Sequence, residues 1–504
     1  MLATKGLICL SQVKRLLHQF RSPRRWLGLM LTILVLVLIC RLPVVANTPL
    51  PYSEIESPPL KEVQMPDYER YELDNGMVVY LMENRELPLV GGRVMIQTGS
   101  RLEPPGKTGL AELTGTVLRS GGTHKHSADE LNQMLEQRAA SIETEVGKTY
   151  VSADFNALSE DLDLVFKLFA EVLRYPAFAP EPLQRAKIGM RGGIASRNDD
   201  PEDIVWQEFQ KQVYGANSPY ARTVEYETLD NISRQDAIDF YQKYFRPDRI
   251  ILGIVGDFDS RKMKARIEES FRDWQPPADA SEVSVPQASQ KVEGGIFSVD
   301  LPHLTQSYIE LGHIGVQFDD PDYPALKVLN EVISGLGGRL FNEVRSRQGL
   351  AYFVYGDWEF NYDYRGLFNA GGQTRSSTTV PFVESIMSEL KRLRREPITE
   401  AELKQAKESV LNSFVFNLSE PKSILSRLMR YEYYGYREDF LFEYRRAVEE
   451  ITAEDLLQAA KKHLQPDRMI TVVVGNKKEI KPDLSSLGSQ VQPIDVSIPE
   501  PSSN

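Results

Sequence analysis

Histidine, cysteine and acidic residues are the side chains through which this chain could do metal or nucleophilic chemistry, and their spacing is restrictive. A hydrolytic zinc site needs two imidazoles one helical turn apart, a carboxylate that activates water and a third protein ligand. No two histidines stand four residues apart, and both cysteines, Cys9 and Cys40, lie in the N-terminal leader. The sequence therefore predicts no zinc site and no thiol chemistry in the mature chain. The histidines are His18, His124, His126, His303, His313 and His463.

One segment has the frame of a catalytic helix without the catalytic residues. Residues 109–123 read Gly-Leu-Ala-Glu-Leu-Thr-Gly-Thr-Val-Leu-Arg-Ser-Gly-Gly-Thr. This frame resembles the inverted zinc motif, His-x-x-Glu-His, of the insulinase (M16) and mitochondrial processing peptidase family. By that resemblance Glu112 stands at the first His, Gly115 at the catalytic Glu and Thr116 at the second His. Gly193 stands where the family has its third ligand, a Glu. The alternative interpretation is a packed helix with one polar face.

A second motif offers hydrogen-bond donors to a peptide. Residues 337–352 read Gly-Gly-Arg-Leu-Phe-Asn-Glu-Val-Arg-Ser-Arg-Gln-Gly-Leu-Ala-Tyr. They resemble a stretch of the family's C-terminal domain in which an Arg and a Tyr seven residues apart bind substrate backbone, and Arg345 and Tyr352 have that spacing. A guanidinium offers fixed donors to peptide carbonyls, and a phenol can hydrogen-bond a carbonyl oxygen that gains charge. Spacing alone also fits an ion pair or a core position, so the substrate role rests on the resemblance.

The elements that would position these residues occur twice. Residues 232–236 recur as 451–455, and residues 247–251 recur as 466–470, both at an offset of 219 (451 minus 232). Each copy has a Ser or Thr N-cap with an acid three residues on, then a Pro-Asp turn and a β-branched run. The sequence therefore predicts an α+β fold with two homologous domains. The resemblance implies a mostly antiparallel sheet covered by helices in each.

Local patterns predict individual elements. Asp74-Asn75-Gly76 supplies the turn of a hairpin within 71–81. Amphipathic spacing predicts helices at 162–173, 323–336 and 400–416, and a strand at 307–314.

Composition sets the predicted boundaries. The N-terminal domain, with the degenerate zinc positions, spans 60–274, and the C-terminal domain, with the Arg/Tyr pair, spans 292–480. Residues 275–291 between them are rich in Pro, Ser and Ala, which predicts an extended, mobile linker. The Ser- and Pro-rich tail, 481–504, is predicted to be disordered.

The first 46 residues predict export. Residues 1–25 contain basic but no acidic side chains, residues 26–40 are almost entirely apolar, and small residues lead to Ala46. This order is typical of a signal peptide, here cleaved after Ala46. An uncleaved membrane anchor through 26–40 is the alternative. We expect the protein in the periplasm, or anchored to the membrane and facing away from the cytoplasm.

These features together predict a non-catalytic, substrate-binding subunit of a two-chain M16 zinc peptidase. In some members of the family one chain supplies the zinc motif and its partner supplies the Arg/Tyr pair. The resemblance thus implies no cofactor on this chain, zinc in a homologous partner subunit with an intact motif, and an extended peptide substrate. A free-standing pseudopeptidase that acts as a binding or scaffold protein in the envelope is the alternative. A net charge of −12 and a pI near 5.3 argue against a nucleic-acid partner.

Overall fold

The chain alternates strands and helices without a strict βαβ rhythm, as the sequence patterns predict. The computed structural model describes residues 65–278, 283–418, 420–488 and 490–501. The predicted leader, 1–46, lies outside these described residues. Within them, none of the helices has the length and apolar character needed to cross a membrane.

The first half is a sheet that begins with the predicted hairpin. Its strands are β1 (Glu69–Glu72), β2 (Val78–Glu83), β3 (Leu89–Ile96), β4 (Ser141–Val146), β5 (Val151–Leu158) and β6 (Ile250–Gly256). Their order is β1-β2-β6-β3-β5-β4, with β2 parallel to β6 and the other neighbours antiparallel.

The first half also contains the helices α1 (Leu110–Ser120), α2 (Ala128–Glu136), α3 (Leu162–Arg174), α4 (Pro180–Ser196), α5 (Pro201–Tyr214), α6 (Tyr226–Asp230), α7 (Arg234–Tyr244) and α8 (Ser260–Phe271). The apolar sides of α1, α3, α7 and α8 join the sheet in one core, in which Leu113 and Phe169 are fully buried beside Phe155 of β5.

The second half repeats the first. Its strands are β7 (Gly295–Asp300), β8 (Gln306–Ile314), β9 (Ala351–Trp358), β10 (Leu367–Arg375), β11 (Ile470–Gly475) and β12 (Val491–Pro493). Its helices include α9 (Tyr323–Ser334), α10 (Thr379–Arg395), α11 (Glu400–Phe414), α12 (Pro421–Tyr434), α13 (Phe440–Glu450) and α14 (Ala453–His463). The sheet order is β12-β7-β11-β8-β10-β9.

Strand order and strand direction both confirm the duplication. The run β7-β11-β8-β10-β9 has one parallel and three antiparallel neighbours, in the same positions as β2-β6-β3-β5-β4. The predicted caps also form. Ser233 and Asp236 make a capping box at the start of α7, and Thr452 and Asp455 make one at the start of α14.

The two halves exchange a helix. α5, from the first half, packs on β8 and β11 of the second sheet, where Val205, Phe209 and Val213 enter a buried cluster. α12, from the second half, packs on β6 and its neighbours in the first sheet through Leu425 and Met429. Burying each such side chain contributes roughly 1.5–3 kcal/mol. The described residues from 65 onward consequently form one compact unit that contains both sheets.

Glycines let each exchanged helix, α5 and α12, approach its sheet. A Cβ at Gly253 of β6 would lie 2.4 Å from the Met429 sulfur. One at Gly312 of β8 would lie 2.0 Å from the carbonyl oxygen of Phe368 on β10 and 2.9 Å from Cζ of Phe209. Real Cβ atoms do not come so close to other heavy atoms, so a larger residue at Gly253 would displace Met429, and one at Gly312 would clash with β10 as well as with α5.

The prediction of a disordered tail is wrong for its described part. Residues 484–487 form a 3-10 turn, and β12 pairs in parallel with β7 along the edge of the second sheet. Ile494 and Val496 then pack against the buried cluster beneath α5. Ser and Pro lower the average hydrophobicity of the tail, but an open sheet edge gives its backbone hydrogen bonds that composition does not reveal.

The described part of the linker, residues 275–278 and 283–291, has no helix or strand and is held in place by side-chain contacts. Tyr220 donates to the carbonyl of Pro286 at 2.6 Å. The Gln290 side chain accepts the N–H of Ile314 at 3.0 Å and donates to the carbonyl of Arg468 at 3.0 Å.

The exchange predicts that the two halves unfold together. Replacing the fully buried Phe209 by Ala should lower the free energy of unfolding by about 3–5 kcal/mol, because it leaves a cavity between α5 and the second sheet. Chemical denaturation followed by far-UV circular dichroism should still show one transition. Phe353→Ala is the control: its ring is 56% exposed, so the change should stay within about 0.5 kcal/mol. A separate early transition of one half would contradict the prediction.

A buried histidine ties β8 to the end of α14. The ring of His313 is fully buried, its Nδ1 lies 2.8 Å from the carbonyl of Ile314, and its Nε2 accepts the N–H of Gln465 at 3.0 Å. This pattern needs a neutral ring, because a proton on Nε2 would remove the acceptor. Burial lowers the pKa of His313 to about 4.

His313 should make stability depend on pH. Its folded pKa lies below the ordinary value of 6.5, so the unfolded chain takes up a proton first as the pH falls. The free energy of unfolding should therefore drop by roughly 1.5 kcal/mol between pH 6.5 and 5 through this residue. Urea unfolding at several pH values should show a flatter dependence for His313→Gln, and an unchanged slope would contradict the assignment.

Candidate functional site

The helix whose face would carry a zinc motif, α1, begins at a buried carboxylate. Gly109 precedes it with φ of 102°, a left-handed conformation that glycine adopts without strain. The Glu103 carboxylate accepts the N–H of Gly109 at 3.1 Å and that of Ala111 at 2.7 Å, and Arg222 lies 3.7 Å away. Burial raises the pKa of Glu103 to about 7, while these N–H groups favour its charged form. The contact fixes the start of α1 and so which of its residues face β4.

Gly115, at the position of the catalytic carboxylate, is closed off by the sheet. A Cβ there would lie 2.2 Å from Cγ2 of Val146 on the edge strand β4. Thr144 of the same strand donates its hydroxyl to the carbonyl of Gly115 at 2.8 Å. Glu112 and Thr116, on the same helix, are exposed. A glutamate at 115 would therefore require Val146 to move. The position differs from the family motif both in residue type and in the space that Val146 leaves for a side chain.

Glu112 and Gly193 line one cavity of about 300 Å³, so the fold brings together the positions of the first and third ligands. A Cβ at Gly193 of α4 would have no atom within 4 Å, which leaves open space where the family has a Glu. Arg197 lines the same cavity, with its guanidinium held by Glu225 at 2.8 and 3.1 Å. The other lining residues are Gly189, Met190, Ile194, Gln207, Thr223 and Val224.

These residues do not fit a zinc ion. Glu112 is the one lining residue whose side chain is a usual zinc ligand. The Arg197 guanidinium beside it repels a cation. A hydrolytic zinc needs three protein ligands, and this cavity provides one.

The second predicted pair does come together. Gly349, with φ of 62°, turns the chain out of a π-helical segment, Phe341–Arg347, into β9. The Arg345 guanidinium stacks between two rings, 4.7 Å from the centre of Phe341 and 4.5 Å from that of Tyr352. Tyr352 is 78% exposed. No carboxylate pairs with Arg345 among the described residues, so its donors are free for a ligand.

The pair sits at the open start of an edge strand. Further along β9, Ser334 of α9 bonds both the N–H and the carbonyl of Gly356, at 2.6 and 2.8 Å. Asn330 does the same for Trp358 at 2.8 and 3.0 Å. α9 ends at Ser334, and in the part of the chain described here no side chain hydrogen-bonds the backbone of Tyr352 or Val354. An extended peptide could therefore lie beside the Arg/Tyr pair.

Comparison with known families covers both regions. The model described as "Insulinase (Peptidase family M16)" matches residues 78–226, which include α1 and the Glu112 cavity. The model described as "Peptidase M16 inactive domain" matches residues 231–410, which include the Arg/Tyr pair. The chain belongs to the M16 peptidase family. The family prediction and the predicted fold class are thereby confirmed.

Relatives of this M16 chain carry contrasting names. A Bacillus subtilis protein named "Uncharacterized zinc protease YmxG" is 26% identical over 362 residues, which is 71% of this chain and 86% of that protein. A Helicobacter pylori protein named "Non-peptidase homolog YmxG" is 24% identical over 404 residues, 79% of this chain and 92% of that protein. The second name agrees with a chain that lacks catalytic residues.

Solved structures share the M16 architecture. A crystal structure of a peptidase M16 inactive domain from Pseudomonas fluorescens is 25% identical and has a TM-score of 0.74, covering 81% of this chain and 98% of its own. A protease from Helicobacter pylori has a TM-score of 0.71 at 18% identity, covering 81% and 100%. The second likeness concerns the fold alone.

Sequence reasoning missed one group of metal-type ligands in this M16 chain. Asp320, Asp322 and His463 each place a ligand atom within 4.8 Å of the others, because the start of α9 meets the end of α14. His463 Nε2 lies 2.7 Å from Asp322, and the Lys462 ammonium lies 2.6 Å from the same carboxylate. Because the lysine already supplies positive charge, we interpret the group as an ion-pair network that holds the start of α9 against the end of α14. Its parts lie 141 residues apart, beyond the reach of a spacing rule.

Replacement by alanine should change the free energy of unfolding in opposite directions at Gly115 and Gly193. Gly115→Ala should lower the free energy of unfolding by about 1–3 kcal/mol, because the new Cβ overlaps Val146 despite alanine's better helix propensity. Gly193→Ala should raise it by roughly 0.5–1 kcal/mol, since the same change meets empty space in α4. Adding Val146→Ala should remove the overlap penalty of Gly115→Ala but not affect Gly193→Ala. Urea unfolding of the three single variants, Gly115→Ala, Gly193→Ala and Val146→Ala, and of the two double variants with Val146→Ala tests this. A stabilising Gly115→Ala would contradict it.

Proposed function

We propose that this M16 chain is the non-catalytic, substrate-binding subunit of a two-chain zinc peptidase. It pairs with a homologous subunit that has an intact His-x-x-Glu-His motif. One contrast carries the proposal. α1 is closed against β4 at Gly115, whereas the half-buried Arg345 guanidinium has no carboxylate partner among the described residues and stacks on the exposed ring of Tyr352. A chain with no role in peptide binding has no reason to keep a cation unpaired beside an open strand edge.

The roles of the pair follow from their chemistry. The Arg345 guanidinium, held flat between Phe341 and Tyr352, offers several N–H donors in a fixed plane to the carbonyl groups of an extended peptide. The Tyr352 hydroxyl can donate to the carbonyl that gains charge during hydrolysis. The exposed side chain of Phe353 gives an apolar contact nearby. These contacts address the peptide backbone more than its sequence, so the proposed substrate is an extended peptide without a strict motif.

The partner would supply the chemistry that this chain lacks. Zinc in its motif activates water and polarises the scissile carbonyl when bound there, and this chain binds no cofactor of its own. Export through the leader, residues 1–46, places the complex in the periplasm. Retention of residues 26–40 as an anchor would place it on the membrane, facing away from the cytoplasm.

A free-standing pseudopeptidase that serves as a binding or scaffold protein is the second candidate. The Helicobacter pylori relative named as a non-peptidase homolog favours it. The two proposals differ in whether a zinc-bearing M16 partner is needed. Co-purification of the native protein, followed by metal analysis and a peptide-cleavage assay, separates them: stoichiometric zinc and cleavage in a heteromeric fraction support the peptidase, and an isolated, zinc-free chain supports the scaffold.

The Arg345 role predicts a specific loss in the reconstituted pair of subunits. Arg345→Gln should lower kcat/KM for peptide cleavage by about tenfold to a hundredfold, since charge-assisted hydrogen bonds contribute about 1.5–3 kcal/mol. Tyr352→Phe should act mainly on kcat, because it removes only the hydroxyl. Subunit assembly, measured by size-exclusion chromatography, should not change.

Arg347→Gln is the matched control, because Arg347 lies two residues away, is paired to Glu343 of its own segment and is 71% exposed. Its kcat/KM should equal that of the unaltered pair. Equal turnover in Arg345→Gln would remove the substrate role. Zinc-dependent cleavage by this chain alone would overturn the assignment as a non-catalytic subunit.

A further inference from the structure

A second cavity, of about 490 Å³, lies where the two halves of the chain meet, and we call it the seam cavity. The first half and the linker line it with Gln97, Arg101, Leu102, Arg246, Asp248, Arg249, Val283 and Val285. The second half contributes Asp363, Tyr433 and Tyr434. The Arg345/Tyr352 pair and the Glu112 cavity share no residue with it.

The charges around the seam cavity do not balance. Arg101 pairs with Asp363 at 2.6 Å, and Arg246 pairs with Asp248 through two hydrogen bonds of 2.7 and 3.1 Å. Arg249 has no carboxylate partner among the described residues and donates instead to the backbone carbonyl of Gln97. Among the described residues that line the cavity, three guanidiniums thus face two carboxylates, which leaves one positive charge without a counter-ion.

Donors at the seam cavity are also left without acceptors. The Arg101 side chain is 6% exposed, and its Nε has no hydrogen-bond partner; the Nε of Arg249 has none either. Buried donors in folded proteins nearly always have a partner. The hydroxyls of Tyr433 and Tyr434 are already bonded to Thr149, so they do not supply the missing acceptors.

The internal duplication provides a comparison for Arg249. The same Pro-Asp-Arg turn precedes β6 at residues 247–249 and β11 at 466–468, so Arg468 is its counterpart at the offset of 219 (468 minus 249). Arg468 has a carboxylate partner, because its Nη2 donates to Glu293 at 3.4 Å, although its Nε lacks a hydrogen-bond partner as that of Arg249 does. The arginine of this turn is therefore paired in the second half, and its counterpart at the seam cavity is not.

We propose that the seam cavity binds a small oxyanion, a phosphate or carboxylate group, between Arg249 and Arg101. An oxyanion beside these guanidiniums would supply the missing negative charge and accept from their N–H groups. The proposal does not depend on peptidase function. Because the cavity is lined by both halves and the linker, a bound anion would also stabilise their junction.

Calorimetric titration of the full chain with inorganic phosphate, and separately with succinate, tests the proposal. At least one of the two should bind with about one equivalent, and which one binds identifies the phosphate or the carboxylate source. Arg249→Gln should weaken that binding by about tenfold or more, because it removes a charge-assisted contact. Arg249→Lys keeps the positive charge but lacks the planar guanidinium, so its affinity for the anion should lie between that of the unaltered chain and that of Arg249→Gln.

Arg468→Gln is the matched control, since it alters the counterpart arginine outside the cavity and should leave the affinity unchanged. Thermal unfolding provides the second readout. Without anion, Arg249→Gln should be at least as stable as the unaltered chain, because a buried unpaired charge is lost. Saturating anion should raise the Tm of the unaltered chain but not that of Arg249→Gln.

Three results would each overturn the proposal. Neither phosphate nor succinate binds; Arg249→Gln binds as tightly as the unaltered chain; or Arg468→Gln weakens binding as much as Arg249→Gln. A lower Tm of Arg249→Gln in anion-free buffer would also count against it, since it would assign Arg249 to packing and to its bond with Gln97.

Discussion

The reciprocal burial of α5 and α12 is the interaction on which the rest of the structure depends. Each sheet has its own helices on one face and borrows a helix from the other half for the opposite face. Arg70 and Tyr80 of the first half add hydrogen bonds to Glu432 on α12. Neither face can be exposed without uncovering apolar side chains, so the two halves behave as one body.

This constraint also places the degenerate zinc positions. α4, which carries Gly193, leads within a few residues into α5, and α5 is fixed to the second sheet. α1 is fixed at one end by Glu103 and along its side by β4. The cavity between Glu112 and Gly193 therefore keeps its geometry although the residues that would hold a metal are gone.

The helix that would carry the zinc motif and the segment that carries the Arg/Tyr pair differ in how open they are to a ligand. At Gly115 the backbone has closed on Val146, so the position no longer has room for a carboxylate. At Arg345 the guanidinium is stacked, unpaired and beside an uncovered strand edge. A half-buried guanidinium stacked on an exposed ring adds little stability to the folded chain, and its N–H donors remain available to a ligand. The same reasoning applies to Arg249, which lacks the carboxylate that its counterpart Arg468 has.

The sequence by itself determined what depends on local patterns and fixed spacing. The Asp74-Asn75-Gly76 turn, the caps at Ser233 and Thr452, the duplication and the missing imidazole pair are all properties of neighbouring residues, and the structure has the first three as predicted. Tertiary structure decided the contacts between residues distant in sequence. The helix exchange, β12 on the edge of β7, Val146 on Gly115 and the charge imbalance around Arg249 depend on how elements pack, because burial and pairing are set by partners that no local pattern specifies.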